Sequence, residues 1–367
     1  MPRQEIAASI LPSLPPGARI LIVRLRSIGD IVLLTPALRL LKEWRPDLRV
    51  SVVIESRFRE LLENNPDVDE ILDPGHGSGL SKLMSRISAV REIRRREFAL
   101  CLNLHGGPTS SLLTSWSGAR WKAGFEHFRR RGIYQTLIPD ARTILNKPVI
   151  HTAEHQASAF LYLGLPRKEI PRAQLFVVPA EEAAWKEQRV AIGLPPGRDY
   201  AVIHPTALYA TKQWAPANFA RLGNHLEKEI GLPVIYSCGP GESAVLDSVE
   251  KAAATSARRL ESQGLKQFAA ALAGARIFIG NDSGPAHMAA ALGRPGVVIF
   301  GSSSSRIWGP WPPGGAWQIV QNDYDCNPCP GDRCYRFDRP ECILSITYEQ
   351  VRSAVEEFLN QVPQASR

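Results

Sequence analysis

Residues 279–301 read IGNDSGPAHMAAALGRPGVVIFG: an apolar run breaks into Asn281-Asp282-Ser283-Gly284-Pro285, and small apolar residues follow, interrupted by His287. The fixed φ of Pro285 suits a first helical position, which makes Gly284 the N-cap and puts His287 in the first turn. The unpaired N–H groups and positive dipole end of such a helix form an anion site. His287 is either a further donor to a phosphate or a capping or core histidine. Asp282 would repel a phosphate at contact range, so it takes sugar hydroxyls or orients the loop. The slim AAAL segment lets the helix pack close to its sheet and sets the N-terminus deep.

Three other corners carry comparable chemistry. In RLRSIGD, residues 24–30, Gly29 allows a tight turn and Asp30 stands at the mouth of a helix. Asp30 reads from its pattern as an N-cap, with a carboxylate placed for general-base work as the alternative. In HPTALYATKQWAP, residues 204–216, Thr206 and Thr211 supply hydroxyls and Lys212 a mobile cation. That set suits a diphosphate, and it also suits an ordinary solvated turn. In CGPGE, residues 238–242, the glycines allow close backbone approach, and Glu242 either caps a helix or accepts ribose hydroxyls.

The elements that must hold these corners follow a β–α rhythm. ARILIVRL, LRVSVVIE and FALCLNLHGG read as strands of a first series; DYAVIHP, LPVIYSCG, ARIFIGND and GVVIFG read as strands of a second. Helical spacing lies between them, for instance Leu265, Phe268, Ala269 and Leu272 at i, i+3, i+4 and i+7. IVLLTPALRLLKEW reads as one helix and GFEHFRRRGIYQTL, residues 124–137, as an irregular loop. Alternation of this kind predicts an α/β fold of parallel sheets covered on both faces, with ligands beyond the carboxyl ends of the strands. Neither half contains GxGxxG, which removes most support for a dehydrogenase. The expected organisation is a disordered, proline-broken leader over 1–17, a first domain over 18–175 and a linker over 176–198. A second domain over 199–346 and a C-terminal helix over 347–367 complete it.

Bulk properties narrow the setting. The 367 residues suffice for two domains, 44% are apolar, and no uninterrupted apolar stretch of about 18 residues could span a bilayer. With no secretory segment legible, the expected location is cytoplasmic. Lys plus Arg exceed Asp plus Glu by 44 to 36, a net +8 that suits an acidic partner: nucleic acid, anionic membrane or a phosphorylated small molecule.

RSIGD with TPAL, the NLHG turn, HPT…TKQW, GPGE and above all NDSGPAHMAAALGRPGVVIFG together resemble glycosyltransferase family 9, the heptosyltransferases. The likeness runs from about Ala18 to Val362, nearly the whole chain. It implies a GT-B fold, two Rossmann-like domains facing a central cleft with the donor in the second domain, the acceptor in the first and the last helix crossing back. It implies inverting transfer from an ADP-heptose donor to an acidic lipopolysaccharide-core acceptor, and no nucleic-acid partner. Carried over, Asp30 is the general base and Lys212 neutralises the diphosphate, helped by Ser283, Gly284 and His287. Glu242 would hold the ribose or base, Asp282 the sugar, and Thr206 the phosphate loop. No DxD-like carboxylate pair is evident, so no metal is expected at the diphosphate. Arg57, Arg59, Arg120, Arg129 and Arg130 would bind the acidic acceptor, unless they are plain solvated charges. The basic helix over Leu80–Arg96 is either a solvated face or a peripheral contact with the inner membrane. Within the same architecture, another nucleotide sugar or a protein acceptor is the alternative reading, and a non-catalytic nucleotide-sugar-binding module is the third.

Four of the six cysteines crowd into CNPCPGDRCYRFDRPEC: Cys326, Cys329, Cys334 and Cys342. In a reducing compartment C-x2-C with two further cysteines fits a closed, structural zinc or iron knuckle better than two disulfides. Four free thiols are the alternative. Some members of the resembling family, in the autotransporter-modifying branch, carry a comparable iron-binding finger.

Overall fold

The apolar run near the start becomes β1 (Arg19–Val23), whose last four residues are fully buried. The computed structural model of the chain describes residues 7, 9–253, 257–261, 264–313 and 316–361. It divides into two units, residues 1–173 and 174–367.

In the first unit β1 is joined by β2 (Arg49–Val53), β3 (Glu70–Leu72), β4 (Leu100–Asn103), β5 (Trp121–Phe125) and β6 (Thr136–Ile138). All pairs are parallel, in the order β3-β2-β1-β4-β5-β6. The second unit repeats the plan with β7 (Ala201–His204), β8 (Val234–Cys238), β9 (Arg258–Glu261), β10 (Ile277–Asn281), β11 (Gly296–Phe300) and β12 (Trp317–Gln321), ordered β12-β11-β10-β7-β8-β9. Each sheet therefore reverses direction once, between β1 and β4 and between β7 and β10. At such a reversal the loops leaving neighbouring strands diverge and open a crevice at the carboxyl edge. The register sets Val23 beside Asn103 in one unit and His204 beside Gly280 in the other. A methyl on Gly280 would come within 2.9 Å of the His204 carbonyl oxygen, so the tight pairing at this second crevice depends on glycine.

Several expectations are corrected. The helix read as continuous to Trp44 is two, Ile28–Val32 and Thr35–Trp44. Pro36 has no N–H, and its ring would clash with the Val32 carbonyl, so the first helix stops there. Gly29 lies buried inside that first helix, not in a tight turn. The stretch read as an irregular loop over 124–137 carries the end of β5 and the start of β6; both strands are short, and Lys122 and Gly124 spoil any apolar alternation. The leader is not disordered where it is described: Ala7, Ile10, Leu11 and Leu14 are buried, and the Leu11 N–H donates to the Leu163 carbonyl (3.0 Å). Their i, i+3, i+4, i+7 spacing buries one face despite the prolines. Residues 1–6 and 8 of that leader lie outside the described residues. The stretch read as a linker contains the helix Pro179–Ala191, anchored by Trp185, which donates to the Tyr200 hydroxyl (2.9 Å). The final helix, Tyr348–Gln361, places Val351, Val355 and Phe358 in the core of the second unit, against β11 and β12. Among the described residues no helix is long and apolar enough to cross a membrane.

Candidate functional site

In the second unit the crevice between β7 and β10 gathers most of the expected residues. The helix after β10 spans Gly284–Ala291, with Ser283 as N-cap and Gly284 as its first residue, one position earlier than Pro285 alone predicts. Ser283 does not cap with its side chain; its hydroxyl donates to the Asn281 carbonyl (3.2 Å). First-turn N–H groups thus face the crevice with no side-chain cap from Ser283. Pro285 to Ala291 are all buried, His287 among them, so the small residues do let the helix lie close against β10 and β11.

Lys212 stands opposite this N-terminus in sequence but beside it in space: its Nζ is 2.7 Å from Asp282 Oδ2. Ser303 donates to the same carboxylate oxygen. Asp282 is 6% exposed and Lys212 21%, so the pair is largely shielded while the cation retains access to solvent. Asn281, fully buried, fastens the Lys212 loop to β10. Its Oδ1 accepts from the Trp214 N–H (3.0 Å), and its Nδ2 donates to the Pro205 carbonyl (2.8 Å).

A second chain of bonds fixes Glu242. Its Oε2 accepts from the Gly239 N–H (2.8 Å) and from the Thr206 hydroxyl (2.6 Å). Thr206 Oγ1 lies 2.9 Å from His204 Nε2, and His204 Nδ1 lies 3.0 Å from the Ser237 hydroxyl. If Thr206 gives its proton to Glu242, it must receive from Nε2–H, while the Ser237 hydroxyl beside Nδ1 also reaches the Ile203 carbonyl (3.4 Å). A neutral ring satisfies that sequence, and burial holds His204 down at about 4. Thr206 is therefore a bracket for Glu242. Thr211 is likewise committed, donating to the Gly331 carbonyl and accepting from the Ser302 hydroxyl (3.1 Å).

In the first unit the corresponding crevice holds Asp30. Its carboxylate pairs with the Arg24 guanidinium through Oδ1, and its Oδ2 lies 3.2 Å from both the N–H and the hydroxyl of Ser27. Ser27 is the N-cap and Asp30 the third helical residue, so the carboxylate belongs to a capping box and is not itself the N-cap. Arg24 also donates to the Leu104 carbonyl, which ties β1 to the turn after β4. That turn is shaped by Asn103, whose Oδ1 accepts from the His105 (2.9 Å) and Gly106 (3.2 Å) N–H groups. Gly106 has φ +72°, and a methyl there would strike the Phe128 ring at 2.4 Å. Burial, then the Arg24 and Arg26 charges, lower the His105 pKa. Burial also brings His155, stacked on Phe125 at 4.2 Å, to about 4.

The expected acceptor arginines divide. Arg57 pairs with Glu55 (2.7 Å) and Arg59 with Glu63 (2.9 Å), both on the turn Ser56–Leu61 after β2. Arg129 and Arg130 are exposed after β5. Arg120 precedes β5 and so sits at the amino edge of the sheet, the edge away from Asp30. That position removes it from the acceptor set.

Among the described residues no group of three or more His, Cys, Asp or Glu is placed to share a metal ion. Cys326, Cys329, Cys334 and Cys342 nevertheless line one cavity of about 250 Å³, together with Thr211 and Ser302. The two observations differ because sharing a wall is a looser condition than sharing a ligand sphere. All four are free thiols, and burial followed by the neighbouring cysteines pushes Cys342 up to about 11. The donor chemistry of this cavity suits a thiophilic cation.

Sequence reasoning missed Arg24, Ser27, His204, Asn281 and Ser303. Each stands at, or within a few residues after, the end of a strand, and that placement was the available signal.

Comparisons with known proteins fit this geometry. Residues 86–336 match the model of "Glycosyltransferase family 9 (heptosyltransferase)". The chain is 26% identical over 358 residues to lipopolysaccharide heptosyltransferase 3 of Escherichia coli K12, covering 94% of this chain and 99% of the relative. A family 9 glycosyl transferase from Veillonella parvula superposes with a TM-score of 0.83 at 21% identity, covering 95% of this chain and 99% of that one. The E. coli heptosyltransferase WaaC with ADP-2-deoxy-2-fluoro heptose gives 0.66 at 19% identity, covering 92% and 99%.

Proposed function

Because the chain belongs to glycosyltransferase family 9, the heptosyltransferases, we propose that it transfers a heptose from ADP-heptose to a hydroxyl of an acidic lipopolysaccharide-core acceptor. The chain is a glycosyltransferase of GT-B fold; the donor, the acceptor and the residue roles are our reading. Asp30 takes the proton of the acceptor hydroxyl as that oxygen attacks the anomeric carbon. The bond from that carbon to the diphosphate breaks with inversion, and Lys212 with the first-turn N–H groups of Gly284–Ala291 receives the developing charge. Asp282 accepts from sugar hydroxyls and Glu242 from the ribose, the latter held in place by Thr206 and Gly239. Arg57, Arg59, Arg129 and Arg130 meet the acidic groups of the acceptor. We also propose that the four cysteines hold a structural zinc or iron ion apart from the chemistry, and that a lipid-anchored acceptor brings the enzyme to the cytoplasmic face of the inner membrane.

The observation that carries the reading is the shielded Lys212–Asp282 pair beside a helix N-terminus at the β7/β10 reversal. A lysine so placed is a fixed counter-charge for a leaving diphosphate. The test is ADP release from ADP-heptose with a heptose-deficient core acceptor. Asp30→Asn should lower kcat by about 10²–10⁴-fold with donor affinity kept within a few-fold, and Lys212→Met by about 10²–10³-fold. Wild-type turnover in both variants, or no ADP release by the wild type across core acceptors, would overturn it.

A further inference from the structure

The helix Gly79–Arg94 is anchored at one end only. Val90 and Ile93 enter the core with Leu21, Val53 and Cys101, whereas every residue from Gly79 to Met84 is exposed. Within that free end Leu80, Leu83 and Met84 share one face at i, i+3 and i+4, and are 76%, 54% and 59% exposed. Large apolar side chains left so open on consecutive turns mark a contact surface. The charge around them has one sign: from Pro74 to Arg91 the chain carries Lys82, Arg86 and Arg91 and no carboxylate.

Position adds direction. The helix returns the chain from the end of β3 to the start of β4, so its free end lies at the carboxyl edge of the sheet. Arg86 confirms this by donating to Thr109 (2.8 Å), in the first turn of the helix that follows the β4 turn. Asp30 and the exposed Arg129–Arg131 follow strand ends at that same edge.

We infer that the free end of this helix, with Lys82 and Arg131, docks on an anionic lipid surface. Charge of one sign beside this apolar face is the complement of an anionic headgroup layer. Apolar residues enter the boundary and cations meet the lipid phosphates. Docked so, the edge bearing Asp30 faces an acceptor anchored in the same surface. That presentation rests on the proposed transfer reaction; the docking does not.

The test uses the full chain and vesicles of phosphatidylcholine, alone or mixed with phosphatidylglycerol. Wild type should sediment with the mixed vesicles only, and less so in high salt. Leu80→Ser/Leu83→Ser/Met84→Ser should weaken sedimentation about tenfold or more, with an unchanged melting temperature. This triple variant should keep wild-type turnover on a deacylated, water-soluble acceptor and lose rate on a vesicle-embedded one. Equal vesicle binding by variant and wild type would overturn the inference, as would a wild-type dimer that the triple variant dissociates. If the variant loses vesicle binding while the wild type transfers to neither acceptor, the docking stands and the transfer reading falls.

Discussion

His204 closes β7 with both ring nitrogens engaged by hydroxyls. Burial lowers its pKa to about 4, against about 6.5 in an unfolded chain. Between those values the unfolded chain binds a proton that the folded chain refuses, so stability is full above about pH 6.5 and falls as pH drops toward 4. The slope is up to about 1.4 kcal/mol per pH unit for one such histidine. His155 in the first unit acts in the same direction. Melting temperature should therefore fall between pH 6.5 and 4.5, and His204→Gln should flatten the fall; an identical slope in the variant would sink the argument. At this scale Asp30, Lys212, Glu242 and Asp282 could be singled out because each lies in a loop or first turn that follows an apolar, strand-like run. His204, Asn281 and Arg24 were not, because Ser237, Pro205 and Leu104 reach them from distant parts of the chain. Only the parallel register brings Ser237 to His204, and Pro205 to Asn281.

Among elements, the cysteine segment 326–342 bears most directly on the site. Its Gly331 carbonyl accepts from Thr211, next to Lys212; its Cys329 N–H donates to the Ser302 carbonyl (3.1 Å) and Asn327 to that of Gly301 (2.8 Å). The loops that carry Lys212 and Ser303 thus rest on it. If it holds a thiophilic ion, purified protein should contain near-stoichiometric zinc or iron. Chelation, or Cys326→Ser with Cys329→Ser, should lower the melting temperature and weaken donor binding several-fold through the Thr211–Gly331 contact. Trace metal content together with a melt indifferent to chelator would discard the ion. The cysteine spacing was legible, but its docking against Thr211 was not, since 120 residues separate the partners. A different limit hid β5, β6 and the helix Pro179–Ala191. Short strands with Lys122 and Gly124, or a helix burying little beyond Trp185, leave no strong apolar period to read.

Across the whole molecule, two sheets of identical strand order carry different chemistry at equivalent crevices. The alternation of apolar runs made the two β–α series legible, and right-handed crossovers favour such an order. What each crevice binds had to come from its side chains. The first offers a carboxylate braced by Arg24 and Ser27 with exposed arginines nearby; the second offers a helix N-terminus, a lysine and a bracketed glutamate. A nucleotide sugar should therefore bind and stabilise the second unit, which has its own core of Ile203, Trp214, Ile279 and Ile299. Ligand at a hundredfold excess over Kd stabilises the state that binds it by about 2.7 kcal/mol. Hydrogen exchange with saturating ADP-heptose and no acceptor should consequently slow in residues 201–206, 211–214, 238–242 and 281–291, while β1 to β6 change little. Lys212→Met should remove most of that protection and Asp30→Asn almost none of it, because the proposed reaction puts one residue at the diphosphate and the other only at the acceptor. Slowing confined to residues 19–138 would reverse the assignment of donor and acceptor to the two units.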